Sequence, residues 1–253
     1  MRLPDELQDF YDLRYADSPI PEPPARPAYP YDRFDAVRLG LPLLLPPRAH
    51  VLELAAGHGD VYQRLRADGV EFGEYILTEI AEPRLKALEQ LSADDSTARV
   101  LEANAEHVDE TELSGNFDAV LAVALIEHLV DPISALRRIR ELVRPGGFVW
   151  IDTPNIARAT RRVRLLAGQF PSTASRNEGL TTFGGQPAVL YDEGHLHYWT
   201  FRSLEVMLTT LCGYTHVDRL PYAAKPFPGG RVGSVLARRA PTLVSEICVA
   251  AYR

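Results

Sequence analysis

Small residues and carboxylates crowd one short stretch of the chain, Val51-Leu52-Glu53-Leu54-Ala55-Ala56-Gly57-His58-Gly59-Asp60. An apolar run leads into it and a helical pattern leads out. Glycine accepts positive φ and lets a ligand approach the backbone, and a helix starting there offers N–H groups without intrahelical partners. A turn of this kind can cradle a pyrophosphate. Here, however, no glycine stands three residues after Gly59, and Glu53 would repel the anion. The stretch suits a ligand that carries positive charge. Twenty residues beyond Gly59 stands Glu79, closing the next apolar run. A carboxylate at that place can accept hydrogen bonds from both hydroxyls of a ribose. The rival reading is a tight strand-to-helix turn that holds nothing.

A second group of residues could move protons. His128 follows Glu127 just past the apolar run Phe117–Val123, and Asp152-Thr153-Pro154-Asn155 closes another run. His195 and His197, preceded by Tyr191, fall on one face of an extended segment. Histidine titrates near pH ~6.5, so any of the three could take a proton from a hydroxyl. The alternative is packing that anchors the segment. Asp192, His195 and His197 hint at a metal site, but no fourth ligand is evident and no metal is expected. Tyr11, Arg14 and Tyr15 are placed to fold back over the pocket, or else pack on the surface. Arg158, Arg161, Arg162 and Arg164 read as a solvated helix face, with recognition of an anionic group as the rival.

The elements that must position these residues follow a regular rhythm. Helical spacing starts at Arg33 with Phe34, Val37 and Leu41. Strands are expected at His50–Leu54, Tyr75–Thr78, Arg99–Leu101, Phe117–Val123 and Phe148–Asp152. Helices are expected from Asp60, over Pro83–Leu91, and from Asp131-Pro132 with Ile133, Leu136, Ile139 and Leu142 as the buried stripe. Arg144-Pro145-Gly146-Gly147 should stop that helix and turn the chain. The alternation predicts an α/β fold: a Rossmann-like doubly wound sheet, mostly parallel, with ligands bound on the rim at the strand ends. Residues 156–194 break the rhythm and read as a lid inserted over that rim. Phe201–Leu211 is helical. Thr215–Leu220 and Ser245–Tyr252 read as strands joined as a hairpin, with Lys225–Gly233 as the turn, which adds an antiparallel C-terminal strand. Six prolines between Pro19 and Pro30 should keep that part extended. The expected organisation is a proline-rich N-terminal arm, 1–32, and one domain, 33–253.

Composition removes several function classes. The net charge is −7 and the pI about 5.5, which disfavours a nucleic-acid partner. Two cysteines, Cys212 and Cys248, exclude a disulfide framework and a multi-thiolate metal site. No apolar run reaches the length of a spanning helix, and Met1–Phe10 lacks an apolar signal core. A cytoplasmic protein with a small-molecule substrate and no membrane partner is the expectation.

The segments VLELAAGHG, ILTE, ANAEHV, FDAVLAVALIEHLVDP and LVRPGGFVWIDTPN, with the later GHLHYWT, resemble the class I S-adenosylmethionine-dependent methyltransferases, in particular a bacterial small-molecule group. The resemblance covers roughly residues 33–220 and the terminal strand. It implies S-adenosyl-L-methionine as cofactor. It implies that Glu53 reaches the methionine amino group, that Ala55, Gly57 and Gly59 pass under the methionine and ribose, and that Glu79 holds the ribose hydroxyls. Ile80 would pack on adenine, Asn104 and Ala105 would border it, and Val123, Ala124 and Leu125 would line the sulfonium side. Tyr11 would reach the cofactor carboxylate. His128, His195 and His197 would serve a small-molecule acceptor, first a hydroxyl of a sugar or other natural-product intermediate. Ala55 departs from the family, which usually has glycine there; as the smallest replacement it can hold ordinary φ, so slightly altered cofactor packing rather than loss is expected, with weaker binding if position 55 needs positive φ. A non-catalytic cofactor-binding protein and a nicotinamide-dependent oxidoreductase are the alternatives; Glu53 and the missing glycine oppose the second.

Overall fold

The computed structural model describes residues 12, 22–108, 113, 115–173, 194–221 and 230–253. Tyr11, Arg14, Tyr15, Tyr191, Asp192 and most of the expected lid lie outside these residues.

Seven strands form one sheet in the order β3-β2-β1-β4-β5-β7-β6. They are β1 (Ala49–Glu53), β2 (Phe72–Glu79), β3 (Ala98–Glu102), β4 (Phe117–Val123), β5 (Val143–Pro154), β6 (His216–Arg219) and β7 (Glu246–Tyr252). The first five are parallel. β7 runs antiparallel to both β5 and β6. The strands are apolar on both faces because helices cover both. Leu52, Ile76, Val120, Val149, Ile151 and Val249 face one core; Val51, Tyr75, Leu77, Leu121, Trp150 and Cys248 face the other. This period-two split is what a pleated strand buried on both sides requires.

Helices α1 (Arg33–Gly40), α2 (Asp60–Ala67) and α3 (Glu82–Ser92) lie on the second face. On the first lie α4 (Pro132–Leu142) and α6 (Phe201–Val206), which runs on into a wide π turn at Met207–Leu211. Local chemistry starts each helix. Asp32 accepts from the Asp35 N–H at 2.8 Å and so caps α1. Asp131 accepts from Ser134 N–H at 3.0 Å, and Pro132 takes the first turn of α4. Thr200 and Ser203 form a reciprocal capping box on α6.

Two expectations change. The Arg144–Gly147 turn belongs to β5. Phe117 pairs with Val143 and Ala119 with Phe148, so the intervening residues of β5 bulge out. A side chain at Gly147 would have its Cβ 2.8 Å from the Asp118 carbonyl oxygen, so only glycine lets the bulge pass this close to β4. The hairpin is also overturned. Helix α7 (Gly230–Arg239) stands between β6 and β7, although the two strands do pair. Its glycine-rich start, Gly229-Gly230-Arg231-Val232-Gly233, conceals a helix whose Ala237 packs on Val244. The remaining helix, α5 (Ala159–Leu166), follows β5 into the expected lid. Upstream, Pro24 accepts from Arg38 Nη1 at 2.8 Å, which lays this part of the proline-rich segment along α1.

Candidate active site

The β1–α2 turn doubles back sharply. Ala55, Gly57 and Gly59 all have positive φ, at 50°, 63° and 72°. The Ala56 N–H reaches the Thr78 carbonyl at 2.8 Å, and the Gly57 N–H reaches Glu79 Oε2 at 2.9 Å. A Cβ on Gly59 would lie 2.6 Å from Leu91 and 2.9 Å from Leu88, so glycine here also lets α3 pack against the turn. The expectation that Ala55 keeps ordinary φ is therefore overturned: a left-handed residue is what brings Ala56 and Gly57 into reach of β2. That conformation costs a non-glycine residue roughly 1–2 kcal/mol, part of which glycine returns through the entropy of its unfolded chain. Ala55→Gly is expected to stabilise by about 0.5 kcal/mol, a rise of about 1–2 °C in melting temperature; an unchanged or lower value would show that the turn carries no such strain.

Glu79 closes β2 beside this turn. Its Oε1 accepts from the Ile80 N–H at 2.8 Å and its Oε2 from Gly57. These backbone bonds fix the carboxylate at the strand end, where a diol would meet it. Ile80, Asn104 and Ala105 follow on the ends of β2 and β3, with Asn104 Oδ1 turned to the Glu106 N–H at 2.9 Å. Arg84, in the first turns of α3, was not singled out by sequence. Its Nη1 sits 3.9 Å from Glu79, its Nη2 lies 3.4 Å from His58, and it covers Gly57. Its place in the helix directly after Glu79 was the available signal.

Glu53 is buried, at 3% exposure, and accepts a 2.6 Å hydrogen bond from the Tyr75 hydroxyl. Burial raises its pKa to about 8; Tyr75 opposes the rise, and repulsion from Asp60 and Glu79 adds to it. Glu53, Asp60 and Glu79 gather carboxyl groups around the turn that a bound cation would draw to their ionised form, and left-handed glycines open its backbone. This set fits a ribose-bearing cofactor with positive charge at its other end.

On the neighbouring strand ends, Val123 closes β4, and Ala124 turns left-handed at φ 51° as its N–H bonds the Asp152 carbonyl at 2.9 Å. Beyond them the Glu127 carbonyl accepts from Leu196 N–H at 2.8 Å and His197 N–H at 3.3 Å. These bonds stitch the post-β4 turn to residues 194–199. The three expected histidines then separate. His128 and His195 come together, with ring centroids 4.8 Å apart and edge to face. His197 instead packs beside Trp199, with Nε2 3.4 Å from the Val130 carbonyl.

Next to the histidine pair lies a buried ionic cluster that the sequence reading did not assemble. The Arg33 guanidinium stands 3.7 Å from each of Glu127, Asp152 and Glu246. Asp152 has 0% exposure, and its pKa is held well above the usual carboxylate range by burial first and by Glu246 next, against Arg33. These partners come from α1, the post-β4 turn, β5 and β7; only the folded topology brings them together.

Residues 52–149 match the family model described as a methyltransferase domain. A ubiquinone biosynthesis O-methyltransferase of Xanthomonas campestris pv. campestris is 27% identical over 169 residues, 65% of this chain and 67% of that protein. The protein of that name from Pseudomonas aeruginosa is 33% identical over 110 residues, 42% of this chain and 44% of its own length. Among solved structures, an S-adenosylmethionine-dependent methyltransferase of Mesorhizobium loti superposes with a TM-score of 0.54 at 14% identity, covering 86% of this chain and 98% of that one. The CurJ carbon methyltransferase gives 0.53 at 18% identity over 82% of this chain, which spans half of it. Structural likeness at such identity speaks for the fold alone. The left-handed turn, the strand-end carboxylate, the sheet order and the matched domain converge: residues 52–149 form a methyltransferase domain, and the chain is similar to the class I S-adenosylmethionine-dependent methyltransferases.

Proposed function

We propose that the chain methylates a hydroxyl oxygen of a small molecule. The observation that carries this reading is the gathering of Glu127, His128 and His195 past the end of β4, where groups able to take a proton border the expected sulfonium side of the cleft. The relatives named as ubiquinone biosynthesis O-methyltransferases lend weight to an oxygen acceptor. S-adenosylmethionine brings a methyl group on a sulfonium, already activated for displacement.

The chain's own residues then bind, align and shield. Glu79 receives the ribose hydroxyls, and the backbone of Ala55, Gly57 and Gly59 lies beneath the methionine and ribose. Ile80, Asn104 and Ala105 enclose the adenine, and Val123 and Ala124 line the sulfur side. Glu53 answers the ammonium charge. Tyr11 of the arm, residues 1–32, covers the carboxylate end. His195 and His128 orient the acceptor hydroxyl and relieve it of its proton, and His197 supports the segment through Trp199. Residues 156–194 act as a lid that excludes water while acceptor and methyl carbon align at about 3–3.5 Å.

The test has two parts. S-adenosylhomocysteine at ~100 times its Kd should stabilise the protein by about 2.7 kcal/mol. Glu79→Gln should weaken its affinity at least about tenfold, or about 1.4 kcal/mol; an unchanged affinity rejects the ribose role. The protein and methyl-labelled cofactor should then be offered catechols, phenols, sugars and amines, and the products read by mass spectrometry. Label on oxygen is expected, and label only on nitrogen or carbon overturns the acceptor assignment.

A further inference from the structure

Arg158, Arg161, Arg162 and Arg164 read from sequence as one solvated helix face. The structure separates them. Arg162 and Arg164 are exposed, whereas Arg161 is only 8% exposed and is the one buried residue of α5. A charged side chain is held at this depth only where polar partners meet it. Four backbone carbonyls do so here. Arg161 Nε donates to Ser172 at 2.9 Å and Nη2 to Thr173 at 3.3 Å. Its Nη1 donates to Asn155 at 2.6 Å and to Ser245 at 3.2 Å. A guanidinium can serve all four because its donors sit on three nitrogens of one rigid plane; an ammonium carries its three donors on a single atom.

These carbonyls come from three pieces of chain: the residue after β5, the residue before β7, and the segment that follows α5. The first two are already locked together. The Asn155 N–H donates to the Ser245 carbonyl at 2.9 Å, and Asn155 Nδ2 donates to the carbonyls of Thr242 and Val244 at 3.1 and 3.0 Å. Arg161 thus pegs residues 172–173 to the fixed junction of β5 and β7. What it pegs adjoins a histidine of the acceptor side. Thr173 Oγ1 lies 2.7 Å from His195 Nδ1, and both residues are buried, at 7% and 5% exposure. A hydroxyl can donate or accept, so the direction of this bond selects the tautomer, and in either direction the bond sets the rotation of the ring. His128 then stands edge to face against that ring.

We propose that Arg161 is a positioning residue for methyl transfer: it holds the carbonyl of Thr173 so that the Thr173 hydroxyl orients His195. The proposal rests on the acceptor role given to His195 above. Thr173 is the whole link, since its carbonyl meets the guanidinium and its hydroxyl meets the ring. Neither Arg161 nor Thr173 needs to touch the acceptor. Their effect is on alignment, where a misplacement of about 1 Å can cost on the order of 100-fold in rate. The lid helix α5 is accordingly tied to the ring's orientation, and its one inward-facing residue carries the tie.

The test compares Thr173→Val, Thr173→Ser and Arg161→Lys in the full-length protein, with the acceptor found by the screen above. Thr173→Val keeps the branched shape and removes the hydroxyl; it should lower kcat about 10–100-fold and leave the acceptor KM within about threefold. Thr173→Ser returns the hydroxyl and should restore kcat to within about threefold of wild type. Arg161→Lys keeps the charge but loses the fork, and should behave like Thr173→Val. S-adenosylhomocysteine affinity should stay near wild type in all three, which also shows that they are folded; if Arg161→Lys does not fold, Arg161→Gln takes its place with the same readouts. Nitrogen-15 spectra of histidine-labelled protein, with His195→Gln identifying the ring, should show the His195 signals moved in Thr173→Val and Arg161→Lys and restored in Thr173→Ser. Ring signals unchanged in Arg161→Lys overturn the proposal, and so does a loss of kcat that Thr173→Ser fails to recover. Full turnover in His195→Gln overturns the acceptor role of His195 instead, while moved ring signals sustain the connection from Arg161, so the two fail separately.

Discussion

Affinity for S-adenosylhomocysteine should rise about tenfold per pH unit from ~6 to 8 and level off above, and Glu53→Gln should flatten that rise. Burial has pushed the pKa of Glu53 up to about 8. Below that value the ligand-free protein holds the group as a neutral acid against Tyr75. The bound ligand's ammonium favours the ionised form, so binding releases a proton. Each pH unit below the raised pKa then costs about 1.4 kcal/mol of apparent affinity. Stability of the free protein carries the opposite sign. Between the ordinary carboxyl value of 4.5 and about 8, the folded state keeps a proton that the unfolded chain has lost. Stability is thus present at the acid end and is lost as pH rises through this window. The melting temperature of the free protein should fall with pH there, and Glu53→Gln should remove that slope too. Isothermal titration and melting curves at matched pH check both signs. A ligand affinity that stays flat between pH 6 and 8 in the wild type would separate Glu53 from the ligand's charge.

The glycine turn and the strand-end acid were legible because these residues are close in sequence to the elements that carry them. A glycine turn after an apolar run and an acid at the end of the next are local patterns, and they recur in the structure at Gly57, Gly59 and Glu79. The parallel sheet could be read for the same reason, since apolar runs alternated with amphipathic ones. Positive φ at Ala55 was not readable, because an alanine gives no sign of left-handed backbone; the bond from Ala56 to Thr78, across to β2, imposes it. Helix α7 escaped because glycines at its start imitate a turn. The grouping of Glu127, His128 and His195 was the least legible. Glu127 and His128 reach His195 only through backbone bonds from Leu196 and His197, and Arg33 meets its carboxylates across α1, β5 and β7. Such contacts between distant positions leave no periodicity in a single sequence.

Replacing Arg33 with methionine should destabilise the protein by about 3–5 kcal/mol, the usual cost of stripping one partner from a buried ion pair. Arg33 lies 3.7 Å from each of Glu127, Asp152 and Glu246. Its distances of 3.7 Å to these carboxylates are those of ion pairs rather than short hydrogen bonds. Asp152 has no exposure, and among the described residues both its oxygens lack hydrogen bonds, so water cannot take over from the guanidinium. For a chain of this size the loss corresponds to a fall of about 6–20 °C in melting temperature. Arg33→Lys should recover part of it, because the positive charge returns without the fork that spans three carboxylates. Combining Arg33→Met with Asp152→Asn should cost less than the sum of the two single changes, since the second removes a buried carboxyl whose ionisation only Arg33 favours. Additive losses in that cycle would mean that Arg33 stabilises by packing alone. A sub-additive result would instead assign α1, which begins at Arg33, an electrostatic hold on the acceptor rim. Substitutions at the start of this helix would then change acceptor turnover while leaving the glycine turn's affinity for S-adenosylhomocysteine near wild type.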